Sequence, residues 1–289
     1  VEFDTENSSQ GTLNIRDAII DAQCILKLHT GEDLDLAANG IFNATIENTL
    51  LIASLSTTDL VDAIFIDALG ASQASLTMRN VDTRFTGPIP TTAPNRQWLD
   101  THTADSGILT ISLDNVTALN PHTGFQDFIE IEARDDSRTN LNLTETIVGV
   151  TQQFGIDAFA TDDARVVLDI VNSTFNGNGQ GLINGLADFS STMTSTVTGS
   201  NFTSNGEMAI QFNGNSSFPP GTIQLGATHE NNTFIASPAS GDIIGIATRG
   251  NTLARVNLIN NNANGSFRLT QSATPPATST FELFDDGNN

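Results

Sequence analysis

The chain has 289 residues and a mass of 30.6 kDa, enough to bury a large core in one elongated domain or two compact ones. Its 33 acidic residues outnumber 11 basic ones, for a formal net charge of −22, which excludes unassisted binding to nucleic acid or to an anionic membrane. No run of eighteen apolar residues exists to span a bilayer, and the single cysteine, Cys24, excludes an intramolecular disulfide.

Residues 11–28, GTLNIRDAIIDAQCILKL, come first in chain order. Leu13, Ala18, Ile19, Ala22, Ile25 and Leu26 recur at nearly helical spacing, with Asp17 and Asp21 on the opposite side. The spacing predicts a short amphipathic helix with Cys24 near its buried side, as a small core residue. Residues 1–40 are therefore taken as an opening segment that caps the remainder of the chain.

Beyond residue 40 the helical period gives way to short β-type runs separated by Asn, Gly, Ser and Thr clusters. Aligning an Asn or Thr followed by an apolar residue gives Asn80-Val81, Asn115-Val116, Thr146-Ile147, Thr174-Phe175, Asn201-Phe202, Thr233-Phe234 and Asn262-Ala263, spaced 27 to 35 residues apart. A second apolar run lies about twenty residues earlier in most units, for example DAIFIDA at 62–68, QWLDTHT at 97–103 and DFIEIEA at 127–133. A repeat of about thirty residues with two or three short strands fits one coil of a parallel β-helix. Equivalent strands then stack roughly 4.8 Å apart, and Asn recurs at corners because it tolerates left-handed backbone angles. All nine prolines, including those in FTGPIPTTAPNRQ at 85–97 and GNSSFPPG at 214–221, fall between the runs, as loops leaving a coil would require. A β-sandwich also has short strands and turns, but nothing in it makes the Asn/Thr column recur.

On these residues the chain resembles the right-handed, single-stranded parallel β-helix proteins of pectate-lyase-like type. Gly11, Thr12, Leu13, Arg16, Ala18, Ile19 and Ala22 are similar to the opening Gly-Ser-Leu-Arg-x-Ala-Ile-x-x-Ala pattern of bacterial surface β-helix proteins, with two residues inserted before Arg16. The resemblance implies an all-β, right-handed parallel β-helix over residues 41–289, preceded by a short N-terminal capping helix. It also implies a secreted or cell-surface location, which agrees with an acidic surface carrying one lysine, Lys27. The closing ELFDDGNN ends on turn-type residues, as in a chain cut from a longer one.

A β-helix is shared by enzymes and adhesins alike, so function has to be read from a site. Matching Asp62, Gln97, Asp127 and Asp157 places Phe65, Asp100, Glu130 and Ala160 in one outward column and Asp67, His102, Glu132 and Asp162 in the next, with Trp98 beside them. Carboxylates one or two rungs apart fall in the separation range used by glycoside hydrolases, so Asp100, Glu130, Glu132 and His102 are the catalytic candidates. Trp98, as a stacking platform, and Arg134 are the ligand-binding candidates. The bland alternative is that so acidic a chain crowds carboxylates onto any exposed face. Asp135-Asp136 and Asp162-Asp163 offer oxygen ligands near turns, so Ca²⁺ is the one cofactor considered, although no EF-hand or nonapeptide loop is present. Asn-x-Ser/Thr triplets, such as those beginning at Asn43, Asn115, Asn142, Asn172, Asn201, Asn215, Asn231 and Asn264, arise from corners built of Asn and Thr as readily as from glycosylation. The expected function is a β-helical structural or adhesin-like module whose partner is a glycan or surface protein; a polysaccharide hydrolase or lyase is the alternative.

Overall fold

The computed structural model describes residues 1–5, 9–30, 40–54, 62–86, 97–118, 125–177, 180–204, 208–215, 222–236, 242–272 and 280–286. Over these residues the chain is all β, every strand pairing is parallel, and each strand's partners lie one coil away in sequence. This is a parallel β-solenoid. No helix among the described residues is long and apolar enough to cross a membrane. The prolines and both predicted protruding loops lie largely outside the described residues.

Each coil contributes to three faces. The first face stacks Glu2–Thr5, Leu26–Thr30, Ile64–Ala68, Leu99–Thr103, Ile129–Ala133, Ile156–Ala160, Gly181–Asp188, Met208–Asn215, Asp242–Arg249 and Ser266–Ser272. The second face includes Arg138–Thr144, Arg165–Val171 and Thr192–Thr198, and the third includes Thr174–Asn176, Asn201–Ser204 and Thr233–Ala236. The long strands Gln73–Thr86 and Ile108–Ala118 run across the corner between the second and third faces.

That corner is set by backbone conformation. Asp17, Asn48, Asn80, Asn115, Glu145, Asn172, Gly199, Asn231 and Asn260 occupy successive coils with φ between 50° and 62°, the left-handed region that Asn and Gly enter at least cost. Side-chain amides link the column along the axis: Asn48 Nδ2 donates to Asp17 Oδ1 at 3.2 Å, Asn80 to Asn48 at 3.2 Å, and Asn115 to Asn80 at 2.9 Å.

The repeat period read from the sequence is correct, but its phase slips. Asn80 and Asn115 are corner residues, Thr146 lies one residue past its corner, and Thr174, Asn201, Thr233 and Asn262 lie two past theirs. The inward position after the corner is Val81 or Val116 in two coils but Thr146, Ser173, Ser200, Asn232 or Asn261 in later ones, so the first apolar residue there comes two positions further on.

Those inward polar residues form a ladder of their own. Ser173 Oγ accepts from Thr146 N at 3.2 Å, Ser200 Oγ from Ser173 N at 3.0 Å, Asn232 Oδ1 from Ser200 N at 2.8 Å, and Asn261 Oδ1 from Asn232 N at 3.1 Å. Asn232 and Asn261 also donate to Val197 O and His229 O, both at 2.8 Å. Beside this ladder Phe175, Phe202 and Phe234 stack at centroid spacings of 5.1 and 5.0 Å, one ring per coil.

The helix expected over residues 11–28 is absent. Gln10–Arg16, Ile19–Ala22 and Leu26–Thr30 are strands paired with Ile41–Glu47, Leu50–Ser54 and Ile64–Ala68, so the opening segment is the first coil itself rather than a helical cap over it. Leu13 and Ile15 alternate inward before the corner at Asp17, and Ile20 and Ala22 after it. Two period-two stretches interrupted by a corner produce intervals of three to five residues, which imitate a helix. Ile19, which the helical reading buries, is 74% exposed.

This interior can be tested in two ways. Asn232→Ala strips a buried backbone N–H of its acceptor and should cost about 2–3 kcal/mol in urea unfolding, whereas the neighbouring exposed corner change Asn231→Ala should cost about 1 kcal/mol; equal costs would mean the buried ladder does not hold the register. His229 is fully buried, bonded through Nε2 to Ser195 Oγ at 2.9 Å, and burial lowers its pKa to about 4. The unfolded chain therefore binds the extra proton first: the contribution is intact above pH 6.5 and is lost as the pH falls from 6.5 toward 4, up to about 3 kcal/mol. Unfolding measured across that range should lose this slope in His229→Leu.

Candidate functional site

The first face opens many of its strands with two consecutive buried residues, Ala63-Ile64, Trp98-Leu99, Phe128-Ile129, Leu182-Ile183, Ala209-Ile210 and Ile243-Ile244. Alternation starts only after this pair. Inward positions are then Ile66, Thr101, Ile131 and Ala158, all buried. The outward positions form two columns in strict register. The first reads Phe65, Asp100, Glu130, Asp157, Asn184, Gln211 and Gly245, and the second Asp67, His102, Glu132, Phe159, Leu186, Asn213 and Ala247.

The three earliest rungs match those read from the sequence and bring Asp100, Glu130, Glu132 and His102 onto one surface. The fourth rung does not match. Ile156, not Asp157, starts that strand, so Asp157 and Phe159 occupy the columns assigned to Ala160 and Asp162. Matching Asp157 to Asp127 causes the error, since Asp127 precedes its strand and its Oδ1 accepts from Phe154 N at 2.8 Å across the coils. Asp157, Asn184 and Gln211 become legible as site residues only once the paired buried start of these strands has fixed the phase.

Trp98 is not a stacking platform. It belongs to the buried pair that opens its strand, is 0% exposed, and lies parallel to Phe128 at 4.6 Å in the core. Arg134, by contrast, is exposed on the site's margin, and its Nη2 donates to Glu132 Oε2 at 2.9 Å. Glu132, Ala133, Arg134, Phe159 and Thr161 line a shallow pocket of about 140 Å³.

Asp135 and Asp162 are left-handed corner residues with φ of 59°, in the column that also holds Gly70 and Asp105. Asp135 Oδ2 accepts from Asp105 N at 3.2 Å, Asp136 accepts from Ser106 Oγ at 3.2 Å, and Asp162 Oδ2 accepts from Thr161 Oγ1 at 3.0 Å, while Asp163 is exposed. Asp135 and Asp162 thus serve as corners. Among the described residues no group of three or more His, Cys, Asp or Glu is arranged to hold a metal ion.

His102 is the centre of charge on the face. Its Nδ1 lies 3.2 Å from Asp67 Oδ1, its Nε2 lies 3.4 Å from Asp100 Oδ1 and 3.9 Å from Glu132 Oε2, and Phe65 meets its ring edge-on at 5.3 Å. The hydrogen bond to Asp67, with Asp100 and Glu132 adding to it against the opposing effect of burial, raises its pKa to about 9, so the imidazole is a cation at neutral pH.

The carboxylates beside it are partly withdrawn from water although they point outward: Asp67, Asp100 and Asp157 are each at most 8% exposed. Burial raises Asp100 to about 7, with the like charges of its neighbours adding to it and His102 opposing. Burial also raises Glu130 to about 7, helped by Asp100, Asp157 and Glu132. Asp157 rises to about 6 for the same first reason, moderated by a 2.8 Å hydrogen bond from Asn184 Nδ2. At neutral pH Asp100 and Glu130 are poised between their protonated and ionised forms, so the row can both donate to and accept from a bound hydroxyl group.

Comparison with known proteins finds no matching family model, no similar curated protein and no similar solved structure. The site is therefore read from the geometry of its own residues.

The raised carboxyl groups have a measurable consequence. A carboxyl whose folded pKa lies above its unfolded value favours folding only while protonated, so this contribution is lost as pH rises through about 7. His102 acts in the same sense, its contribution complete below pH 6.5 and lost as pH rises through about 9. Glu130→Gln should raise the thermal midpoint at pH 8 by roughly 2–4 °C, equivalent to about 1 kcal/mol, and leave it nearly unchanged at pH 4. A lower midpoint at pH 8 would show that the Glu130 charge is a structural requirement.

Proposed function

We propose that the chain is a saccharide-binding module of a secreted or cell-surface protein, adhesin-like in role, with the outward columns of the first face as its groove. The observation that carries this reading is the in-register row Asp100, Glu130, Asp157, Asn184 and Gln211. Carboxyl and amide groups at a spacing of about 4.8 Å suit a ligand presenting hydroxyl groups along its length, because each can accept, and the amides and protonated acids can also donate. The half-buried Phe65 and Phe159 flank the row and offer apolar faces to sugar rings. The acidic, lysine-poor composition and the opening segment's similarity to bacterial surface β-helix proteins of pectate-lyase-like type support the extracellular setting.

A second reading, hydrolysis of a polysaccharide, is favoured by one specific observation: Asp100 and Glu130 titrate near 7, where a general acid must still carry its proton. Their strands are adjacent, so their backbones lie about 4.8 Å apart, within reach of a nucleophile and acid pair.

Screening neutral oligosaccharides for binding and for new reducing ends tests both readings with the wild type, Glu130→Gln and Asp157→Asn. Binding without turnover, weakened about tenfold in either variant, is the expected result. Turnover that Glu130→Gln abolishes while binding persists would replace the binding module with a hydrolase. Absence of binding and turnover across the panel would sink both.

A further inference from the structure

Past Gln211 the first face changes character. The next rung presents Gly245 and Ala247 outward, between the longer Gln211 and Asn213 on one side and Arg268 and Thr270 on the other. A strand with almost no outward side chains leaves a depression one strand wide. Beside it, Leu186, Asn213, Gly214, Asn215, Ala247 and Arg249 line an open pocket of about 280 Å³.

Arg249 stands at the pocket's rim with its side chain exposed. Arg16, Lys27, Arg79, Arg84, Arg134 and Arg255 each meet a carboxylate within 3.4 Å, as expected in a chain of net charge −22. Arg138, Arg165 and Arg249 meet none among the described residues, and of these three it is Arg249 that lines this pocket. Its partners in register on the adjacent strands are Asn215 and Ser272, both neutral. A guanidinium left without a carboxylate, beside an amide and a small apolar floor, is arranged for an oxyanion from outside the chain.

We propose that this pocket is a subsite for the oxyanion of an acidic saccharide, a carboxylate or a sulfate ester. Arg249 supplies two parallel N–H donors, the Asn213 amide supplies a further one, and Leu186 with Ala247 receives the apolar side of the ring. The position also gives the groove a direction. From the rung of Glu130 to that of Gly245 is four steps, about 19 Å. The carboxylate row repels an anionic group at one end, and Arg249 attracts it at the other. Only in assigning the rest of the ligand to the carboxylate and amide row does this inference rest on the saccharide-binding reading; the pocket's affinity for an anionic sugar can be measured alone.

The test titrates the full chain with glucose, glucuronate and glucose 6-sulfate, following binding by calorimetry and by amide chemical shifts, in wild type, Arg249→Ala and Arg249→Lys. Glucuronate, the sulfate ester or both should bind at least tenfold more tightly than glucose and shift Asn213, Ala247 and Arg249; which of the two binds identifies the acidic group. Arg249→Ala should remove that preference without changing the thermal midpoint, and Arg249→Lys should restore only part of it. Equal binding of all three sugars, failure of all to bind, or a preference for the anions that survives Arg249→Ala would overturn the proposal. Neutral oligosaccharides that bind through Glu130 while anions ignore Arg249 would overturn it and leave the saccharide reading standing. Glucuronate bound through Arg249 with no oligosaccharide on the carboxylate row would do the reverse.

Discussion

Parallel pairing in register between one coil and the next is the interaction on which everything else in this molecule depends. Because each strand's partners are its own equivalents a coil away, a residue's neighbours along the axis are set by its position in the repeat rather than by distant sequence. At the corner between the second and third faces one left-handed residue turns the chain, and that turn recurs at nine successive corners despite coils of 27 to 35 residues. Variation in length is absorbed between strands, so the columns stay aligned.

Register also explains the unusual polar column inside the solenoid. A purely apolar interior would tolerate a slip of two residues, since alternation keeps the same faces inward. The Thr146, Ser173, Ser200, Asn232 and Asn261 column does not, because the Ser173, Ser200, Asn232 and Asn261 side chains each accept from one particular backbone N–H a coil away, and Thr146 Oγ1 donates to Leu113 O. The earlier coils place Val81 and Val116 at the equivalent position and bond their amide corners on the outside instead, through Asn48, Asn80 and Asn115. Two different devices thus hold the same geometry at the two ends of the chain.

The fold class is legible because the repeat is a property of spacing, and spacing survives in a single sequence. Phase is not. Asn80 and Thr174 both precede an apolar residue, yet one is a corner and the other lies two residues past it. The inward column between them changes from valine to serine, and sequence alone does not say that a buried serine has found a backbone partner. The same ambiguity misplaces Trp98 and Asp157, where two adjacent residues point inward at the start of a strand and strict alternation fails. At residues 11–28 a corner between two short strands mimics helical periodicity. In each case the missing information is where the backbone bends, which the side-chain pattern reports only indirectly.

The candidate site is best understood through what its location costs. Outward positions on a solenoid are free to carry well-solvated groups, and an acidic chain has many that do, such as Asp135 and Asp163. Asp100 and Asp157 instead lie on the outward side while almost inaccessible to water, and their neighbours across the register are Glu130 and Asn184 rather than basic groups. His102 offsets part of the repulsion on one flank, but no cation faces the row at Asp157 in either adjacent strand. Raised carboxyl pKa values express that withdrawal from water first, and the uncompensated charge second. A stalk whose only task is to be long and rigid gains nothing from it. A surface that must exchange hydrogen bonds with hydroxyl groups does, because a carboxyl poised between its charged and neutral forms can meet either a donor or an acceptor.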